Sequence, residues 1–385
     1  MRSAQGWKRI ASGRSGGRHE GSGGGTFERL DVVAGAAPIP EARGRGRAAA
    51  ATSCRPARAR RFHRGIAAPD RTYDRPASNG RAMTERSIAG RRVGVIGLGA
   101  MGSGMAGSLR RAGADVHVCD ARDGVAAAFA AQGGTACTTP AELAARCEVV
   151  VSVVVNAAQT ESVLFGDGNA GAAMKPGSVF VMCSTVDPNV SIAFERRLEA
   201  MGLHYVDAPI SGGAAKAASG EMTVMGAARD AAWSVAEPVL HAMAAKVYRL
   251  GDRAGNGSKV KIINQLLAGV HIAAAAEAMA LGLREGVDAA ALYDVITHSA
   301  GNSWMFENRM AHVLSGDYTP LSAVDIFVKD LGLVLDTARA TKFPLPLAST
   351  AHQMFMQAST AGFAKEDDAA VIKIFPGIEL PGRKT

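Results

Sequence analysis

The sequence predicts an α/β fold: a doubly wound parallel sheet followed by an all-α domain built on a long central helix, behind a disordered N-terminal extension. Three observations carry this. Short apolar, β-branched runs alternate with helical patterns from Arg92 to Gly251 and then stop, the texture of a parallel sheet covered on both faces. From Lys259 to Glu285 the chain is one Ala/Leu/Ile-rich stretch, which as a helix runs about 40 Å. Residues 1–90 carry 18 Lys and Arg against 7 Asp and Glu, which leaves 25 against 28 for the rest of the 385-residue chain. The formal net charge of +8 therefore belongs to the extension, and the body gives no electrostatic reason to expect a nucleic-acid or membrane partner.

The extension holds a Gly/Ser run from Ser12 to Gly25, an Arg/Ala/Gly run from Glu41 to Ala51 and a cluster of Arg58, Arg60, Arg61 and Arg64. Without apolar periodicity it has too little surface to bury to offset the ordering of its backbone. Three readings compete: an over-extended start with Met83 as the natural initiator, a nucleic-acid-binding tail, and a targeting signal. Its acidic residues and Gly-rich run weigh against targeting, and the lack of aromatics spaced for base stacking weighs against the tail. The expected division is 1–90 extension, 91–252 nucleotide-binding domain, 253–375 all-α substrate and dimerisation domain, and 376–385 tail. Cys54, Cys119, Cys137, Cys147 and Cys183 are odd in number and lack C-x-x-C pairing, which points to buried thiols in a reducing, cytoplasmic setting. The longest apolar stretch, Ile262 to Leu283, is interrupted by Asn264, Gln265, His271 and Glu277, and reads as a buried helix rather than a membrane span.

The first strand is Val93 to Ile96, followed by Gly97-Leu98-Gly99-Ala100-Met101-Gly102 and a helix to Ala112. This order defines a Rossmann-type dinucleotide site, in which the first glycine permits the turn, the second admits the pyrophosphate and the third lets helix and strand pack closely. A second strand, Asp115 to Cys119, ends in Asp120, placed to accept both ribose hydroxyls of NAD and to repel a 2′-phosphate. Arg122 leaves room for NADP, and a rival role for Asp120 is to cap the next helix, Asp123 to Gln132. Strands follow at Glu148–Val155, Ser178–Met182 and Leu203–Asp207. Ligands sit beyond the carboxyl ends of such strands, which selects Val155-Asn156 and Cys183-Ser184-Thr185 as cofactor-facing loops. Thr185 has a rival role as cap of the helix that starts near Pro188. After Asp207, Ala208-Pro209-Ile210-Ser211-Gly212-Gly213 is a turn whose amides and hydroxyl suit a carboxylate, with Lys216 and Ser219-Gly220 extending it; an ordinary turn is the plainer alternative.

Beyond Gly251 helices are expected at Lys259–Glu285, Asp288–Ser299, Ser303–Leu314, Ala323–Thr341 and Leu347–Thr360. The first is apolar all round, which calls for burial, with a second subunit as one candidate cover. Near its start Lys261, Asn264 and Gln265 are spaced i, i+3 and i+4 and share a face. Val260, Ile262 and Ile263 flank the lysine, and desolvation there favours the neutral amine of a general base. A lysine snorkelling at a helix end is the rival.

Four ordered motifs resemble the 3-hydroxyisobutyrate dehydrogenase family, small relatives of 6-phosphogluconate dehydrogenase: GLGAMG from Gly97, DAPISGG from Asp207, G-x-G-x-x-x-K-x-x-N-Q from Gly255 to Gln265, and KDLGL from Lys329. The resemblance covers residues 92 to 375. It implies Lys261 as the catalytic lysine with Asn264 and Gln265 beside it, and Ser211, Gly212 and Gly213 around the substrate carboxylate. It also implies Asn156, Thr185 and Lys329 as cofactor contacts, together with the turn from Gly97 to Gly102. Many relatives carry Asn where Gln265 stands, and Leu-Pro where Val154-Val155 stands. The implied activity is NAD-dependent oxidation of a sugar-derived 2-hydroxy acid without a metal. The stretches from Val153, Val260 and Ala300 resemble members of the family that act on L-threonate, which makes it the expected substrate, with 3-hydroxyisobutyrate oxidation or tartronate semialdehyde reduction as alternatives. Trp304, Phe306, Asn308 and Phe327 are candidates for the substrate wall, Trp304 and Phe306 being equally plausible core. A homodimer or homotetramer is expected. A catalytically idle nucleotide-binding protein that uses its basic arm on nucleic acid is the remote alternative, against which the intact Lys261, Asn264 and Ser211 set weighs.

Overall fold

The computed structural model describes residues 87–382; the disorder expected for residues 1–90 falls outside them but for the last few positions. Six parallel strands form the main sheet: β1 (Arg92–Ile96), β2 (Asp115–Cys119), β3 (Thr135–Ala136), β4 (Val149–Ser152), β5 (Val179–Met182) and β6 (His204–Asp207), in the order β3-β2-β1-β4-β5-β6. Alternation along each strand feeds two cores. Val93, Val95, Val149, Val151, Val179 and Val181 face one layer, while Ile96, Val150, Phe180 and Met182 face the other. β-Branched residues at successive positions are thus buried on both sides, as a parallel sheet covered by helices requires. The helices are α1 (Gly102–Arg111), α2 (Val125–Ala130), α3 (Pro140–Ala144), α4 (Ala157–Leu164), α5 (Ala170–Ala173) and α6 (Pro188–Glu199). Strand order reverses between β1 and β4, which opens a crevice at their carboxyl ends.

A second sheet, not anticipated from the sequence, follows: β7 (Ile210–Ser211), β8 (Met222–Gly226) and β9 (Ala244–Arg249), antiparallel then parallel, with α7 (Gly213–Ser219) and α8 (Asp230–Met243) between its strands. Its strands have two, five and six residues, too short for a period to stand out. The turn expected after Asp207 is therefore part strand and part helix, with Lys216 inside α7.

The second half is helical: α9 (Asn256–Arg284), α10 (Ala289–Thr297), α11 (Trp304–Ser315), α12 (Val324–Ala340) and α13 (Pro346–Ala358). At 29 residues α9 is long and apolar enough to span a bilayer by composition, yet here it is the spine against which α10 to α13 pack. Ile272, Ala276 and Met279 from α9 meet Met310, Phe327, Leu331 and Phe355 in one core. Ile378 and Leu380, beyond the last helix, also pack on it.

One carboxylate joins the two halves. Asp207, fully buried at the end of β6, accepts from the Gly255 amide at 2.8 Å, the Ser258 amide at 2.9 Å and the Ser258 hydroxyl at 2.7 Å. These are first-turn groups of α9 that otherwise lack partners. Between them Gly257 has no room for a side chain: a Cβ there would lie 2.3 Å from the Met225 carbonyl oxygen. Asp207→Ala would leave these donors buried without an acceptor and destabilise the protein by about 3 kcal/mol, read as a fall in the urea midpoint. A loss below about 0.5 kcal/mol, the range of an ordinary surface change, would show that α9 does not depend on this cap.

Candidate active site

A cleft of about 650 Å³ lies over the carboxyl ends of β1, β4 and β5. From the sheet side it is lined by Gly99–Gly102, Val153–Val155, Cys183–Thr185 and Ser211–Gly213; Lys261, Asn264 and Gln265 of α9, Trp304 and Asn308 of α11, and Phe327, Lys329 and Asp330 of α12 line it from the helical side. The glycine turn is tight where the sequence says it must be. A Cβ on Gly102 would lie 1.9 Å from the Gly97 carbonyl oxygen, so only glycine lets α1 start there with its amides toward the crevice.

Asp120 closes β2 with its side chain 6% exposed. Oδ2 accepts from the Leu98 amide at 2.7 Å, and Oδ1 from the Arg122 amide and Nε, each at 2.9 Å. Burial works to raise its pKa, but the bonds from Arg122 and Leu98 outweigh burial and hold the carboxyl below its usual value. It is a charged acceptor beside the glycine turn, with Arg122 laid over it. It does not cap α2, whose first turn is preceded by Gly124.

Lys261 is buried one turn into α9, 7% exposed. Its Nζ donates to Gln265 Oε1 at 2.8 Å, and Asn264 Nδ2 donates to the same oxygen at 3.0 Å. Two donors on one atom fix the amide: that atom is the oxygen. Gln265 Nε2 must then point the other way, where it donates to Asp330 Oδ2 at 2.6 Å. Lys329 pairs directly with the other oxygen of Asp330 and donates to the Thr185 carbonyl at 3.3 Å. Burial is the largest influence on Lys261 and lowers its pKa to about 8, with Asp330 opposing and Lys329 assisting. Such an amine is a usable proton acceptor near neutral pH.

The cleft thus gathers Gly99, Ala100, Met101, Gly102, Thr185, Ser211, Gly212, Gly213, Lys261, Asn264, Gln265 and Lys329. It does not gather Gly97, Leu98, Asp120 or Asn156. Asn156 instead caps α4, its Oδ1 accepting from the Gln159 amide at 2.9 Å. Thr185 does not cap α6, because Asp187 does, accepting from the Asn189 amide at 2.7 Å. Of the four wall candidates Trp304, Asn308 and Phe327 line the cleft, while Phe306 is core, stacked on Tyr293 with centroids 6.0 Å apart. Sequence reasoning missed Asp330 and Arg309. The first was within reach as the neighbour of Lys329 in KDLGL; the second is a helical arginine whose burial no local pattern announces.

A six-stranded dinucleotide-binding sheet with a buried lysine in the cleft between it and a helical domain defines an NAD-linked dehydrogenase. Residues 92–251 match the NAD binding domain of 6-phosphogluconate dehydrogenase, and residues 255–375 match the family described as NAD-binding of NADP-dependent 3-hydroxyisobutyrate dehydrogenase. The chain is 69% identical over 293 residues to L-threonate dehydrogenase of Cupriavidus necator, covering 76% of this chain and 99% of that protein. It is 54% identical over 294 residues to L-threonate dehydrogenase of Escherichia coli K12, covering 76% and 97%. A crystal structure of 3-hydroxyisobutyrate dehydrogenase from Salmonella typhimurium shares 56% identity and a TM-score of 0.71, covering 74% of this chain and 100% of that one. The chain belongs to the 3-hydroxyisobutyrate dehydrogenase family of NAD-binding hydroxy-acid dehydrogenases. If Asp120 selects NAD, Asp120→Ala raises the KM for NAD and relaxes the rejection of NADP in steady-state assays; an unaltered preference removes Asp120 from that role.

Proposed function

We propose that the protein oxidises L-threonate to its 2-oxo acid, with Lys261 as general base. The observation that carries the chemistry is the buried Lys261 amine with a pKa lowered to about 8. The substrate is supported by the two relatives described above, both L-threonate dehydrogenases. The residues present fit a dinucleotide: a helix start with no room for a Cβ at Gly102, and a charged Asp120 with a buried side chain beside it. Bound NAD supplies the hydride acceptor. The chain supplies the rest. Ser211 and the amides of Gly212 and Gly213 hold the substrate carboxylate, which places C2 before Lys261. The neutral amine takes the C2 hydroxyl proton as hydride leaves C2, and Gln265 Oε1 steadies the ammonium that results. Asn264 shares that oxygen and keeps the amide from turning. Thr185 and Lys329, joined at 3.3 Å, brace the cofactor side of the cleft, and Asn156 contributes by holding the start of α4.

In this reading residues 91–252 bind cofactor and residues 253–375 supply the substrate wall and the contact between subunits. The latter is supported by Val260, Ile263, Leu267 and Leu281, exposed by 39, 60, 52 and 63% along α9, an apolar seam at helical spacing of the kind a second copy covers. A homodimer or homotetramer in the cytoplasm fits this surface and the buried thiols of Cys137, Cys147 and Cys183.

Lys261→Ala is expected to lower kcat by about a thousandfold while NAD affinity, measured by fluorescence titration, stays close to wild type; normal turnover would refute the assignment. Because the neutral amine is the active form, kcat/KM should rise with pH and level off above about 8, and a profile flat from pH 6 to pH 9 would contradict it. In a panel of hydroxy acids assayed for NADH formation, silence with L-threonate beside turnover of another acid would overturn the substrate. Ile263→Glu combined with Leu267→Glu should shift the sedimenting species to a smaller mass, and an unchanged mass would clear α9 of the subunit contact.

A further inference from the structure

Behind the α11 wall of the cleft lies a buried ion pair that the proposed chemistry does not use. Arg309 Nη2 donates to Asp368 Oδ2 at 3.2 Å and its Nε donates to Oδ1, with side chains 9% and 0% exposed. Asp367, also 0% exposed, lies 4.0 Å from the same Nε. Its oxygens are occupied by the Leu321 amide at 2.9 Å and the Ala369 amide at 3.1 Å. The guanidinium group that remains, Nη1, donates to Asn308 Oδ1. A guanidinium has no acceptor, so Asn308 must present its oxygen to it. The planar amide then turns Nδ2 away from Arg309, and no acceptor among the described residues takes its hydrogens. Asn308 lines the same cleft as Lys261.

We propose that Asn308 is the specificity residue for the hydroxylated end of the substrate: its Nδ2 donates to a hydroxyl oxygen on C3 or C4 of a trihydroxybutanoate, with Arg309 and Asp368 as positioning residues. This rests on the polyhydroxy-acid reading given above. With the carboxylate at Ser211 and C2 at Lys261, C3 and C4 extend toward the helical wall. Around Asn308 that wall is mainly apolar, made of Met305, Pro320, Leu321, Ile326 and Phe327; its two other polar members, Ser322 and Arg309, are both engaged with Asp368. A single oriented donor in an apolar wall discriminates a hydroxyl from a methyl, because the analogue lacking the hydroxyl leaves the amide unpaired. The positive charge of Arg309 is matched by Asp368, so the wall suits a neutral hydroxyl rather than a second carboxylate.

The test compares kcat/KM for L-threonate with that for 2-hydroxybutyrate, an acid of the same length without distal hydroxyls, in wild type, Asn308→Leu and Asn308→Asp. The aspartate variant is isosteric and still accepts from Arg309 but has no Nδ2 donor; the ratio cancels the effect of its charge on the substrate carboxylate. In Asn308→Leu the ratio should fall by about tenfold to a hundredfold, and in Asn308→Asp by less, because a carboxylate oxygen can accept the proton of the substrate hydroxyl. An unchanged ratio, or equal loss on both acids, overturns the proposal. A wild type that refuses L-threonate but oxidises a stereoisomer of it overturns the substrate assignment alone, and the ratio is then read with that isomer. A wild type that oxidises only acids without distal hydroxyls overturns the role of Asn308.

Discussion

The geometry of the cleft depends on Asp207. This carboxylate ends the last strand of the main sheet and caps the first turn of α9 with three hydrogen bonds, so the sheet domain and the helical domain share one fixed joint. Lys261 follows Ser258 by three residues, less than one turn of helix. Wherever Asp207 holds Ser258, the amine is held too. Burial raises the pKa of Asp207, and the bonds from Ser258 and Gly255 work against that rise. A carboxylate is a costly choice at a buried joint, but its fixed directions tie one rigid element to another where an apolar contact would allow sliding.

The second constraint is the order in which two lysines meet one acid. Lys329 lies directly on Asp330, whereas Lys261 reaches it only through the Gln265 amide. The interposed amide gives Lys261 a hydrogen-bond partner without giving it a full counter-charge, and burial is then free to push its proton off near neutrality. Had Asp330 paired with Lys261 directly, the ammonium would be favoured. Arg309, Asp368 and Asn308 use the same logic one wall away: a buried charge pair is spent on fixing which face an amide shows to the cleft.

The positions of the Gly97–Gly102 turn, of Asp120 just past β2 and of the i, i+3, i+4 set on one face of α9 were legible because each follows from a local pattern. Thr185 and Asn156 were not, since a hydroxyl or amide near a strand end serves a helix cap and a cofactor equally well. In the fold Asp187 takes the cap that Thr185 offered, and Asn156 takes the cap of α4. Phe306 and Trp304 stand two residues apart on α11, and their fates diverge because a helix turns about 200° between them. One ring enters the core against Tyr293 while the other borders the cleft. The short sheet β7-β8-β9 escaped notice because its stability comes from pairing across α7 and α8, not from a run of its own.

By itself the sequence determined the kind of protein this is: alternating apolar runs require a parallel sheet, glycines at fixed spacing admit a dinucleotide to a helix start, and one long apolar helix requires other helices around it. These follow from periodicity and steric limits that act over a few residues. Only the tertiary structure decided the chemistry of the cleft. The Lys261–Gln265–Asp330–Lys329 chain spans α9 and α12, and the Asn308–Arg309–Asp368 chain spans α11 and the final turn. Burial and hydrogen bonding across distant segments set a proton affinity and an amide's orientation, and neither has a signature in local sequence.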